Sequence, residues 1–111
     1  SLASGKIETA DITMPSICDS IVTAQPGETT FPINKKLLSG SAVITDRDAL
    51  QAVATAFKHL KIIIEPGGAA ALAAVLTGQY PAGAKTVVAV ASGGNIDAPM
   101  LQRALDEGPL F

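Results

Sequence analysis

An α/β fold, a three-layer α/β/α segment of parallel sheet, is predicted by three features of this 111-residue chain. The first is alternation. Short runs of small and β-branched residues at 41–46, 62–64 and 86–91 are separated by stretches with helical spacing, the order that parallel strands joined by right-handed crossovers require. The second is palette: 48% of residues are hydrophobic but only 4% aromatic, so the apolar surface comes from Ala, Val, Ile and Leu, as in helices packed on parallel strands. The third is punctuation, because the uninterrupted run at 86–91 stops abruptly at Ser92-Gly93-Gly94-Asn95, which reads as a strand buried on both faces and bounded by a turn. Two or three strands make a narrow sheet. Parallel sheets need cover on both faces, so residues 1–111 are expected to form one part of a larger domain or to pair with another chain.

Each element has its own signal. Residues 1–12 are polar and turn-like, and 17–24 form a short apolar stretch that ends at Gln25-Pro26-Gly27, a turn in which Pro presets φ and Gly accepts a positive one. Residues 29–40 predict a helix of about two turns, with Thr30 as cap, Pro32 in the first turn, Lys35 and Lys36 near the end and Gly40 as stop. After the strand at 41–46, Thr45 and Asp48 have the spacing of a capping box. Ala49, Leu50, Val53, Phe57 and Leu60 then recur every three or four residues and give the next helix one apolar stripe. His59 falls at its end as a solvated residue. A helix from Pro66 to the stop at Gly78 is apolar all round and so predicts neighbours all round. Asp97 caps a last helix with Leu101, Ala104 and Leu105 on one side.

Composition excludes several functions. A net charge of −2 with scattered basic residues offers no stripe to follow a nucleic-acid backbone. The longest apolar stretch, 69–76, is far short of the roughly 20 residues of a membrane span. Residues 1–11 show no secretory pattern, so a cytoplasmic location is expected. One Cys, Cys18, and one His give neither a disulfide nor a zinc site, and Cys18 reads as a small buried residue.

The chemistry is expected where the strand at 86–91 ends, because ligands of open α/β sheets gather at the carboxyl ends of strands. Ser92 stands there with a hydroxyl that both donates and accepts, between glycines that let backbone approach a ligand. Glu65 is a charge beside an apolar helix. It is read either as a site residue or as an anion at that helix's N-terminus.

Four motifs in order resemble one family, the fold type II pyridoxal phosphate (PLP) enzymes of the threonine/serine dehydratase and serine racemase branch. ICDSIVTAQPGETTFPI resembles the family's "ADG…PG..TF.I", VITD.DAL its helix start, KIIIEPGGAAALAAVL its "EP.GAA.LAA" and VVAVASGGNID its "SGGN.D". The likeness runs from about residue 17 to 105, with Ser20 in place of the family's glycine. It implies the C-terminal part of the large, cofactor-binding domain of a tryptophan-synthase-β-like enzyme, spanning 1–111. By the same resemblance, Ser92 hydrogen-bonds the pyridine nitrogen of PLP, Gly93, Gly94 and Asn95 shape the cofactor's edge, and Glu65 lies at the active-site wall.

The family's lysine segment, its SxGNHAQ loop, its phosphate-cradling GGGGL loop and its acidic metal-binding segment have no match and are expected upstream. None of Lys6, Lys35, Lys36, Lys58, Lys61 or Lys85 sits in a matching motif. No catalytic or metal-binding residue is therefore expected within 1–111, and the isolated segment is expected to be inactive. The implied reaction of an intact parent is removal of the Cα proton of a hydroxy amino acid such as threonine or serine, then loss of the β-hydroxyl, giving a 2-oxo acid and ammonia. With no regulatory domain after Phe111, the short catabolic type is expected. The alternative is a non-catalytic interaction or regulatory module that keeps the family's sheet. On either reading the chain is expected to form a homo-oligomer or to join a missing N-terminal half, and alone to self-associate or be partly disordered.

Overall fold

A computed structural model describes residues 1–13 and 16–111. Four α-helices are present among them: α1 (Phe31–Leu37), α2 (Asp46–Thr55), α3 (Ala70–Leu76) and α4 (Ala98–Glu107). A 3-10 turn covers Asp19–Ile21, and α2 runs on into a π turn over Ala56–Leu60. Helix α2 is the hub and packs against both α3 and α4. Their shared core joins Leu50, Ala52, Val53 and Ala56 to Ala69, Ala73 and Ala104, with Ile64 closing it from the segment before α3. Alanine at so many contacts lets helix axes approach closely, and Leu50, Val53 and Ile64 supply most of the apolar volume. Arg47 on α2 reaches Glu107 on α4 with Nε 2.6 Å from Oε1, an exposed pair of about 0 to 1 kcal/mol.

Local chemistry sets the helix starts. The capping box is formed: Thr45 Oγ1 accepts from the Asp48 N–H at 3.2 Å, and the Asp48 carboxylate accepts from the Thr45 N–H at 2.8 Å. Asp97 accepts from the Met100 N–H at 2.7 Å, with Pro99 in the first turn of α4. Thr30 differs from expectation. Its hydroxyl donates back to the Gly27 carbonyl at 3.2 Å instead of capping α1, and α1 ends at Leu37, short of Gly40. Helix α3 begins only at Ala70, because residues 66–69 form a turn in which the Ala69 N–H bonds the Glu65 carbonyl.

The stripe on α2 holds through Ala49, Leu50 and Val53 and then fails. Phe57 is 39% and Leu60 56% exposed, since the wider π turn rotates them off the core face and puts Ala56 there. Helix α3 is not enclosed on all sides either: Ala73 is buried while Ala71 is exposed.

The segments expected as strands, 41–46, 62–64 and 86–91, form no ladder among the described residues. Val88 is 85% and Val90 68% exposed, where burial on both faces was expected. Backbone contact between 65–68 and 92–93 is confined to two bonds, Glu65 N–H to Gly93 and Ser92 N–H to Gly68. The Cα trace extends over 39 × 37 × 18 Å. The radius of gyration, 14.8 Å, exceeds the roughly 13 Å of a compact domain of this length. No helix among the described residues is long and apolar enough to cross a membrane.

Candidate functional site

Two short loops meet where the sequence placed its candidates. The first, Glu65-Pro66-Gly67-Gly68, is anchored by buried Ile64 and leads into α3; the second, Ser92-Gly93-Gly94-Asn95, leads into the Asp97 cap of α4. They are joined by three hydrogen bonds. Glu65 N–H donates to Gly93 O at 3.1 Å, Ser92 N–H to Gly68 O at 3.2 Å, and Asn95 N–H to Glu65 Oε2 at 3.0 Å. The contact is close enough to require glycine. A Cβ at Gly68 would run into the Ser92 carbonyl, and one at Gly93, where φ is +66°, would lie 2.6 Å from Glu65 Oε1.

All five candidate residues are thus brought together. The Glu65 carboxylate accepts from the second loop at Asn95, 30 residues along the chain. They do not share one cavity, however. Glu65 and Asn95 line a cleft of about 340 Å³ with Asp19, Asp97, Ile17 and Met100, whereas Ser92, Gly93 and Gly94 lie outside its walls. Another cavity, of about 500 Å³, lies between the N-terminal segment and α1 and contains none of the candidates.

Asp46 is a residue whose part the sequence did not reveal. As the first residue of α2 it reads as a helix-start acid, yet its carboxylate accepts from Ser16 Oγ at 2.8 Å and from the Ile17 N–H at 3.4 Å, tethering the ICDSI turn beside the cleft. Cys18 in that turn is buried as expected. Burial, with the Asp46 charge adding to it, pushes its thiol above the ordinary value, so it stays protonated and inert.

The residues fit one end of a PLP molecule. Ser92 offers an exposed neutral hydroxyl at a loop whose other groups are largely backbone, as a pyridine nitrogen would need. No lysine or arginine lines the cleft among the described residues, so nothing there matches the phosphate or a carbonyl-condensing amine.

Comparison with known proteins gives the class. Residues 1–93 match the family model described as "Pyridoxal-phosphate dependent enzyme". The chain is 32% identical over 94 residues to an L-threonine ammonia-lyase of Thermotoga maritima, covering 85% of this chain and 23% of that protein. It is 34% identical over 109 residues to a serine racemase of Dictyostelium discoideum, covering 96% and 33%. Among solved structures, the T.th. threonine deaminase superposes with a TM-score of 0.77 at 33% identity, over 86% of this chain and 32% of that one. The Dictyostelium discoideum serine racemase gives 0.75 at 35% identity, over 86% and 30%.

The chain belongs to the pyridoxal-phosphate dependent enzymes, whose cofactor is PLP. Within them it falls in the fold type II threonine/serine dehydratase branch. It spans about a quarter to a third of the length of the curated relatives it matches.

Proposed function

We propose that this chain contributes the C-terminal part of the cofactor-binding domain of a PLP-dependent ammonia-lyase, which converts threonine- or serine-type hydroxy amino acids to 2-oxo acids and ammonia. The observation that carries the reading is Ser92. It ends an apolar run, its backbone is pinned to Gly68, and the residue is exposed. In this reading the hydroxyl hydrogen-bonds the pyridine nitrogen, while Gly93 and Gly94 keep side chains away from the ring edge. PLP, when bound, supplies the electron sink for charge developing at the substrate's Cα. A neutral hydroxyl does not force a proton onto the ring nitrogen as a carboxylate would. Ser92 thus holds the sink at moderate strength and favours expulsion of a β-leaving group over prolonged stabilisation of the carbanion. The names of the relatives support ammonia-lyase chemistry and leave racemisation as the second activity to assay.

The test is made on the full-length protein. It is expected to carry bound PLP by absorbance and to release 2-oxo acid from L-threonine or L-serine, with D-serine formation measured in parallel. Ser92→Ala is expected to weaken PLP binding by about tenfold, the worth of one well-placed hydrogen bond, and to lower turnover. A full-length protein that takes up no PLP overturns the proposal.

A further inference from the structure

We infer that Glu65 is a positioning residue: by accepting the Asn95 N–H, its carboxylate fixes the loop that carries Ser92. The inference rests on the cofactor reading of Ser92 for its consequence, but the clamp itself is a matter of geometry. Residue 65 grips the second loop at two points on either side of Gly94. Its backbone N–H donates to Gly93 O at 3.1 Å, and its side chain turns back so that Oε2 accepts from the Asn95 N–H at 3.0 Å. The return path of that side chain lies across the bare face of Gly93, where a Cβ would stand 2.6 Å from Oε1 and 2.8 Å from Cδ. Gly93 and Glu65 are therefore fitted to each other.

Such a clamp has work to do. Two adjacent glycines give the loop wide conformational freedom when it is unrestrained, and only one further bond, Ser92 N–H to Gly68 O, is given to it from the first loop. The backbone bond at Gly93 survives any substitution of the Glu65 side chain. The bond at Asn95 does not, and it is the stronger kind, a carboxylate accepting from an amide. Without it the loop is held on the Ser92 side alone, Gly94 and Asn95 are released, and Ser92 is restrained by one fewer anchor on its loop. Glu65 thereby acts through Ser92 without touching the cofactor ring.

The full-length protein carrying Glu65→Ala, Glu65→Asp, Glu65→Gln, Ser92→Ala or both alanines separates this role from a general structural one. Amide hydrogen exchange over 92–96, measured without PLP, is expected to quicken in Glu65→Ala and in Glu65→Asp, whose shorter arm cannot reach Asn95. Glu65→Gln keeps an acceptor oxygen and is expected to exchange like the parent. With PLP, Glu65→Ala is expected to weaken binding by about tenfold and to move the absorption and emission of the bound cofactor in the direction Ser92→Ala moves them. In the Ser92→Ala background the same change is expected to add less than about twofold. Should Glu65→Ala not fold, the contrast between Glu65→Asp and Glu65→Gln carries the test. Unchanged exchange in both shortened variants overturns the clamp, and full additivity with Ser92→Ala overturns its action through that residue. A parent protein that binds no PLP yet shows the exchange difference retains the clamp and defeats the cofactor reading instead.

Discussion

Gly68 has the least room for a side chain of the ten glycines, since its missing Cβ would run into the Ser92 carbonyl, which is backbone and cannot rotate away. Gly68→Ala is therefore expected to cost about 2 to 3 kcal/mol in denaturant unfolding and to push Ser92 off its position. Gly40→Ala, which meets nothing within 4 Å, is the control and is expected to stay within about 0.5 kcal/mol. Loss of stability equal in the two variants would mean that the loops do not touch as described. At this scale the loop that carries the candidate residues was legible. A small-residue run that stops at Ser-Gly-Gly-Asn marks its loop without knowledge of the fold, because backbone freedom and an exposed hydroxyl are local properties. The partners were not legible: Asp46 bonds Ser16 from 30 residues away and Glu65 bonds Asn95 from the same distance, and no spacing rule reaches so far.

The starts of α2 and α4 were legible because a side-chain cap closes within four residues, whereas Thr30 makes no such cap on α1 and α3 begins four residues after Pro66. At the start of α2, the Thr45 backbone N–H and hydroxyl both donate to the Asp48 carboxylate and hold it below the ordinary aspartate value of 3.8. A carboxylate whose value is lowered on folding stabilises the fold above pH 3.8, and that contribution fades as the pH falls through the lowered value. Asp48→Asn is thus expected to be less stable than the parent at pH 7, with the gap in melting temperature closing at the acid end of a pH series. Thr45→Ala, which loses the other half of the box, is expected to cost about 1 kcal/mol. Helix ends were less readable. Phe57 and Leu60 continue the three-to-four spacing, and only the π turn, closed by Lys61 in the left-handed region at φ 60°, takes them off the core. Between elements, Ser20 fills the space that a side chain at Gly67 would need. Gly67→Ala is accordingly expected to be destabilising alone and to be rescued by adding Ser20→Gly. Additive losses in that double-mutant cycle would show that the two positions are independent.

For the whole molecule, the decisive feature is the unpaired apolar chain. Val43 is 81%, Ile63 51%, Val88 85% and Val90 68% exposed, all in segments whose composition reads as strand interior. The β-branched runs read as strands in the sequence, yet among the described residues they form no ladder, because pairing depends on distant backbone that no local pattern specifies. At Val43 the place of a neighbouring strand is partly taken by a side chain. The Gln79 amide accepts from the Val43 N–H at 3.0 Å and donates to the Val43 carbonyl at 2.7 Å, as a strand's backbone would. Among the described residues no such substitute lies against 87–90, where edge groups stand beside apolar side chains, the combination that favours joining another chain. A polypeptide limited to these 111 residues is therefore expected to associate with rising concentration in sedimentation and to bind an apolar dye. Its amides at 87–90 are expected to exchange far faster than those of α2, whose buried residues include Ala52, Val53 and Ala54. Replacing Val88 and Val90 with threonine is expected to reduce both dye binding and association while leaving helical circular dichroism unchanged, because neither side chain belongs to the core. A monomer at high concentration with protected amides at 87–90 would instead require these residues to be paired within the chain, and the exposure of Val88 and Val90 would then be wrong.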